Sequence, residues 1–551
     1  MTELEVRAKR AEKRDDFSSG VLILSLSAVI VKIIGLIYKI PMLALLGSEG
    51  MGYFNSAYEI YVLFGVVGTA GLPVAMSAMI SRSRERGDIS EKKIFSVSMT
   101  LFVLLGIVGS VLMLSLAPLS SRIFGSRDVI FCIIAISPTV FFICLCSVYR
   151  GFFQGLGRMR ETAISQVIEA SLKLFLGLVF AYIAIRCGYG VPEVAAFAVL
   201  GLVGGSVCSA LYLALSKRAH EKGERGNRVE TVIPKALTAA ARRGRRKILS
   251  ELLMTAIPIS MSSLVMSLTK IIDMTVILRR MQDIGYTSAE AFSAYGGYTT
   301  LALPLFSLAP ALISSVALPL VPTLSARVAR GDSDGQVKVV SDAIKITMIV
   351  SMPISLGLCF FSREILWLIF GKGQEAVALG APLLSLLAIS IPLACLITVE
   401  GAVLQAYSRA ELPMVAMIVG SVAKIILAYI LVGNRDVNIA GAPISTFACD
   451  LLINAINLAF ISKRLPRAIP FGVISKPALA AFISVGVTRL ALAALSANLC
   501  ESNLTTLLFI AICALIYLPI LFFVGAIARD DLERIPVINR IFHSKFANNT
   551  H

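Results

Sequence analysis

The sequence predicts an all-α, polytopic membrane protein, and three observations carry that prediction. Of its 551 residues, 57% are hydrophobic and 15% charged, against roughly 25% charged in an ordinary soluble domain. Apolar runs of about 20 residues, long enough to cross hydrocarbon as helix, recur from Phe17 almost to the C-terminus. Lys and Arg are shared so unevenly among the connecting segments that these sort into two sides of a membrane.

Taken in order, the runs give fourteen spans at about 17–40, 53–80, 94–117, 129–149, 162–185, 194–216, 248–278, 296–325, 339–361, 377–400, 413–433, 439–462, 476–497 and 504–526. The first is longer than a signal-peptide core and has no small-residue cleavage site behind it, so it is expected to remain as a span. The second carries Pro73, the seventh Pro258, and the eighth Pro304, Pro310, Pro319 and Pro322. Such prolines are expected to interrupt helices where only protein or a cavity satisfies the freed carbonyls. In the sixth, Gly201 and Gly205 form a small-xxx-small pair, a sign of close helix packing.

The tails and alternate loops on one side hold 36 Lys and Arg, and the loops on the other hold 8. Translocating positive charge is costly, so this asymmetry puts both termini in the cytoplasm. Location then explains the net charge of +17: a run such as Arg242-Arg243-Gly244-Arg245-Arg246-Lys247 serves topology and anionic lipid, and no nucleic-acid partner is expected. Eight of ten cysteines fall inside spans as small apolar residues, leaving Cys187 and Cys500 near the outer surface. All three histidines, His220, His543 and His551, lie in loop or tail. No disulfide framework, metal site or cofactor is expected.

An internal repeat organises the chain. Gln154, Arg158 and Lys173 match Gln405, Arg409 and Lys424 at one offset of 251. Ser81 followed by Arg86-Gly87-Asp88 matches Ser325 followed by Arg330-Gly331-Asp332 at 244, and Lys32 matches Lys270 at 238. Six spans separate each pair, so the copies share one orientation and are related by an axis along the membrane normal. The expected organisation is a basic tail (1–16), a six-span lobe (17–216), a basic cytoplasmic linker (217–247), a second six-span lobe (248–463), two added spans (464–526) and a basic tail (527–551).

A charge near mid-bilayer costs at least about 2.5–3.5 kcal/mol, so ionisable groups within spans are candidates for function. Seven basic residues lie within spans: Lys32, Lys39, Lys173, Lys270, Lys345, Lys424 and Arg489. Lys39 and Lys345 are near enough to a surface to snorkel. Lys32 and Lys270 lie about 12 Å from the outer ends of their helices, and Lys173 and Lys424 are close to the midplane. Two readings stay open for them. Acids stand within reach: Glu169 four residues before Lys173, Asp273 three after Lys270, Glu59 in the span next to Lys32, and Asp450 beside Lys424. Asp450, Asn454 and Asn457 form a polar stripe at i, i+4 and i+7. Such pairs would only fix packing. The other reading is a wet cavity between the lobes in which Lys32, Lys39, Lys173, Lys270 and Lys424 meet an anionic head group and Glu59, Asp273 and Asp450 couple a cation.

The paired lobes, the turn Arg150-Gly151-x-x-Gln154-Gly155-x-Gly157-Arg158, the stretches Lys39-Ile40-Pro41 and Gly50-Met51-Gly52-Tyr53-Phe54, and the two extra C-terminal spans resemble the polysaccharide-transporter and stage V sporulation protein B branch of the multidrug/oligosaccharidyl-lipid/polysaccharide (MOP) flippase superfamily. The resemblance covers essentially the whole chain. It implies a flippase for undecaprenyl-pyrophosphate-linked glycans of the bacterial envelope, with the peptidoglycan precursor lipid II foremost. It also implies a cationic cavity between the lobes and a groove for the polyprenyl tail shaped by the extra helices. The lipid II flippases rely on cavity arginines, whereas the deep cations here are mostly lysines. The partners it implies are a lipid-linked anionic glycan and membrane lipids; the oligomeric state is open, a monomer being compatible with all of this. A multidrug/cation antiporter of the same superfamily would want an acid-dominated interior. A membrane-bound glycosyltransferase or polymerase would need a catalytic acid or metal cluster near one surface, and neither motif is present, so no enzyme activity is expected.

Overall fold

The computed structural model describes residues 3–86, 91–225, 238–371, 375–409, 411–465, 471–494 and 503–526. Among these there is no strand. By packing, the chain divides into two units, one ending at Gly296 and the other beginning at Gly297. The first contains α1 (Glu3–Thr69), α2 (Gly71–Arg86), α3 (Glu91–Phe124), α4 (Val129–Gly155), α5 (Met159–Arg186), α6 (Val191–Arg225), α7 (Thr238–Asp283) and all but the last residue of α8 (Ser288–Gly297). The second opens on a π-helical turn (Tyr298–Ala302) and continues through α9 (Leu303–Ala329), α10 (Ser333–Phe360), α11 (Ser362–Phe370), α12 (Glu375–Ala388), α13 (Ile391–Ala406), α14 (Glu411–Val432), α15 (Gly441–Arg464), α16 (Phe471–Ala494) and α17 (Asn503–Phe523).

Twelve described helices are long and apolar enough to cross a membrane, thirteen when the pair α12 and α13, bent by 48°, counts as one span. Fourteen spans were expected from the sequence, against these twelve to thirteen among the described residues. The first candidate, Val29–Arg84, is 56 residues long, twice what one crossing needs. It breaks at Gly47, whose φ of 67° and ψ of −179° lie outside the helical region. The prolines interrupt less than expected. Pro73 and Pro304 sit in first turns, where a missing N–H is harmless, while α9 runs on through Pro310, Pro319 and Pro322. Position 258 likewise lies within α7.

Apolar side chains face outward as freely as inward, which is the signature of a lipid solvent. Leu104, Ile107, Val108 and Val111 on α3 and Val422, Ile426, Tyr429 and Ile430 on α14 are all exposed. The core of the first unit joins Leu72, Met76 and Ile80 of α2 to Phe102, Phe152 and Leu213, and to Ile248 and Leu252 of α7. The sequence leads one to expect lobes at 17–216 and 248–463; packing groups α7 with the earlier helices. The Gly71 amide donates to Ser260 Oγ at 3.2 Å, and Gln282 Nε2 donates to the Phe124 carbonyl at 2.9 Å. In the second unit Ile313, Leu320, Ile344, Met348, Val399 and Val403 form the core. The added helices α16 and α17 join it through Tyr517, which donates to the Ile349 carbonyl at 2.9 Å, and through the Arg489–Glu364 ion pair at 2.7 Å.

The matched turns after the fourth and tenth expected spans end their helices with the same backbone bonds, a pattern shared by other helix ends such as Cys187–Gly188–Tyr189. Amides of Leu156, Gly157 and Arg158 donate to carbonyls of Phe152, Gln154 and Phe153, and 251 residues later Tyr407, Ser408 and Arg409 donate to Val403, Gln405 and Leu404. Both turns pass through the left-handed region, at Gly157 (φ 77°) and Ser408 (φ 57°). In the other matched pair, Gly87 and Asp88 lie outside the described residues.

Gly201 and Gly205 bring α6 onto α5 as expected: a Cβ on Gly205 would stand 2.7 Å from the Glu169 carbonyl oxygen and 2.9 Å from the Lys173 amide. That close approach fixes the segment of α5 carrying Glu169. Arg150, expected in a cytoplasmic loop, lies inside α4, because the helix continues six residues past the expected end of its span. Its Nη2 donates to Glu169 Oε2 at 2.7 Å and to Ser209 Oγ at 3.2 Å, and its Nε to Ser165 Oγ at 3.0 Å. The Arg150 and Glu169 side chains are 14% and 18% exposed, so the pair ties α4, α5 and α6 together in a poorly solvated place. Glu169→Ala alone strands the guanidinium and is expected to cost about 3–5 kcal/mol, whereas replacing both partners with apolar residues of similar volume restores most of it. Thermal unfolding of the purified variants reads the difference, and equal loss in single and double variants would contradict it.

Candidate functional site

In the first unit the charged residues fall on α1, α5 and α7. Two contacts set α1 against α5. Ser27 Oγ donates to Gln166 Oε1 at 3.3 Å, and a Cβ on Gly177 would stand 3.0 Å from Tyr38 Oη. The second contact lies eleven residues beyond the first on both helices, so α1 and α5 run parallel and in step. Lys32 is five residues past the first contact and Lys173 seven. The two ammonium-bearing positions therefore share a level to within about 3 Å at 1.5 Å per residue.

Their expected acids have other neighbours. Glu169 is held by Arg150 rather than by Lys173, since a planar guanidinium with several N–H groups outcompetes a flexible amine one helical turn away. Glu59 has Lys39 as a charged neighbour. Lys270 is exposed while Asp273, three residues on, is 8% exposed. Among the described residues Lys32, Lys173 and Lys270 make no ion pair. The first unit thus presents three cations without an ion pair among the described residues, one of them beside a carboxylate that Arg150 holds.

In the second unit Lys424 on α14 is the charged neighbour of Asp450 on α15, as the sequence suggested. Asn454 and Asn457 continue the stripe and are buried. Asn457 Nδ2 donates to Glu400 Oε2 at 3.2 Å. The tenth expected span, 377–400, ends at Glu400; α13 continues to Ala406, and Glu400 is an interior residue, 1% exposed. The signal for it was the apolar stretch Ala402-Val403-Leu404 beyond it. A cavity of about 550 Å³ opens between α10 and the added helix α16, walled by Met352, Leu356, Leu479 and Phe482, with Lys476 at its edge. Lys476 Nζ donates to the Gly525 carbonyl at 3.0 Å.

No group of three or more His, Cys, Asp or Glu able to hold a metal ion occurs among the described residues. His220 bonds Arg158 at 2.7 Å; His543, His551 and Cys500 lie outside the described residues. What the geometry offers is binding chemistry: fixed cations at matched depth and an apolar cavity.

Comparison with known proteins agrees with that picture. Residues 17–328 match the Polysaccharide biosynthesis protein family, and residues 258–430 match the MatE family. Stage V sporulation protein B of Bacillus subtilis (strain 168) is 27% identical over 544 residues, covering 96% of this chain and 99% of the relative. Lipid II flippase MurJ of the same organism is 25% identical over 423 residues, covering 74% and 76%. Among solved structures, a lipid II flippase MurJ in an inward closed conformation aligns with a TM-score of 0.68 at 17% identity, over 91% of this chain and 98% of the other. An inward-facing multidrug resistance MATE family transporter of the MOP superfamily aligns at 0.61 and 18%, over 82% and 98%. At such identities the two structures speak for the fold alone. Because the first family match spans more than half of the sequence, this chain belongs to the Polysaccharide biosynthesis protein family, and it is a multi-pass bacterial membrane transporter of the MOP superfamily.

Proposed function

We propose that the protein is a flippase that moves an undecaprenyl-pyrophosphate-linked glycan, lipid II foremost, across the cytoplasmic membrane by alternating access, with both termini in the cytoplasm. The observation that carries this reading is the level pair Lys32 and Lys173, with Lys270 as a third cation lacking an ion pair among the described residues. Three unneutralised ammonium groups within hydrocarbon would cost roughly 8–10 kcal/mol. An anionic head group in a water-filled path removes that cost and gains charge-assisted hydrogen bonds. Lys39 and Lys424, each facing an acid, are secondary contributors.

Flipping requires no bond to form or break. The protein has only to offer the diphosphate and sugars a wet, charged path while the polyprenyl tail stays apolar, and the cavity beside α16 is suited to that tail. The antiporter reading of the superfamily is less well supported, because the deepest acid of α5, Glu169, is committed to Arg150. Glu59, Asp273 and Asp450 are the proposed coupling groups, with each charge moved through 100 mV contributing ~2.3 kcal/mol to the cycle.

Reconstitution into vesicles with fluorescent lipid II, and with an unrelated polyprenyl-linked glycan in parallel, tests the assignment. Lys32→Ala and Lys173→Ala are each expected to lower the flipping rate at least tenfold with unchanged protein incorporation; wild-type rates in both variants would overturn it. Collapsing membrane potential and ion gradients together is expected to slow net transport severalfold, and unaltered transport would remove the coupling groups from the mechanism.

A further inference from the structure

The network around Arg150 is built to hold a guanidinium. Arg150 Nε donates to Ser165 Oγ at 3.0 Å, and Nη2 donates to Ser209 Oγ at 3.2 Å and to Glu169 Oε2 at 2.7 Å. Both serines are 0% exposed, and both hydroxyl protons already have acceptors. Ser165 Oγ donates to the Thr162 carbonyl at 2.7 Å, and Ser209 Oγ donates to the Ser165 carbonyl at 3.0 Å. Each hydroxyl therefore turns only lone pairs toward the arginine. Three bonds to three partners on α5 and α6 fix the guanidinium, and with it the Glu169 carboxylate.

That fixation decides the state of Lys173. Glu169 stands four residues before Lys173 on α5, the favourable order for a helical ion pair. At 18% side-chain exposure the carboxylate is poorly solvated, so its attraction for a neighbouring ammonium is stronger than in water. Without Arg150, Lys173 is the cation one helical turn away. Neither residue has room to withdraw, because Gly205 brings α6 against the Glu169 carbonyl and the Lys173 amide. The segment matched at an offset of 251 offers a contrast: Gly401 and Gly420 stand where Arg150 and Glu169 stand, and there Lys424 has Asp450 of the next helix as its charged neighbour. The lysine of the arginine-bearing segment makes no ion pair among the described residues.

We propose that Arg150 is a positioning residue for anion recognition: by occupying Glu169 it keeps Lys173 unneutralised, and so determines that this level of the first unit accepts a phosphate or diphosphate group. The ligand half of this statement rests on the flippase reading given above; the hold of Arg150 on the charge of Lys173 does not.

Reductive methylation of the full chain in nanodiscs at one pH, without ligand and with each lysine quantified by mass spectrometry, provides the test. Arg150→Gln is expected to slow labelling of Lys173 at least fivefold, because an ammonium paired with a carboxylate reacts slowly, and to leave Lys32 and Lys222 at wild-type rates. Adding Glu169→Gln to that variant is expected to return Lys173 to the wild-type rate. Glu169→Gln alone keeps an acceptor for Arg150 and reads the same question if Arg150→Gln does not fold; its Lys173 is expected to label within twofold of wild type. A role confined to packing changes unfolding without singling out one lysine. An unchanged Lys173 rate in Arg150→Gln, slowing shared by Lys32 and Lys222, no recovery in the double variant, or severalfold faster labelling in Glu169→Gln would each overturn the proposal. Repeating the wild-type measurement with undecaprenyl pyrophosphate separates the two readings: if the variants behave as expected and the lipid leaves Lys173 unprotected, the flippase reading falls while the hold of Arg150 on Lys173 stands.

Discussion

A charge inside a bilayer has to be matched by an opposite charge, by hydrogen bonds or by water, and in the first unit the match is made chiefly between Arg150 and Glu169. That ion pair sets what remains. It joins α4 to α5 where Gly201 and Gly205 let α6 close in, and it withdraws from Lys173 the acid one turn away. Lys32, brought level with Lys173 by the parallel course of α1 and α5, makes no ion pair among the described residues, and Glu59 has Lys39 as a charged neighbour. The availability of Lys173 follows from where Glu169 is committed rather than from the number of lysines.

The two segments matched in the sequence at an offset of 251 carry different buried chemistry. Both keep the turn after the fourth and tenth spans, with a left-handed residue at Gly157 and Ser408 and identical amide bonds around it. A few residues before that turn they diverge. The first copy places Arg150 against Glu169 and two serines, a closed network of donors and acceptors. The second places Glu400 against two asparagines and leaves oxygens over. Buried networks that are fully satisfied rigidify the helices they join, and an unpaired buried acceptor is costly.

The apolar runs made the helical class and most spans legible in the sequence, since twenty residues without charge have few other uses. Boundaries were less legible where a polar residue lies in the last turns of a helix. The expected spans stop at 149, just before Arg150, and at Glu400 itself, yet α4 and α13 each continue six residues further, and both side chains turn inward. Pairing was also beyond reach. The i, i+4 spacing of Glu169 and Lys173 is a true helical neighbourhood, but a residue 19 positions away on another helix took the carboxylate. Local spacing proposes partners, and tertiary packing disposes of them. The stripe of Asp450, Asn454 and Asn457 was legible because it repeats on one helix face, while the carboxylate opposite it was not.

The central claim is that Lys32 and Lys173 receive the diphosphate of a lipid-linked substrate. Reductive methylation of the protein in nanodiscs, with each lysine quantified by mass spectrometry, tests it without a mutation. Undecaprenyl pyrophosphate is predicted to protect Lys32 and Lys173 together, while uncharged undecaprenol protects neither and exposed Lys222 labels equally throughout. Equal labelling of Lys32 and Lys173 with both lipids would contradict the account.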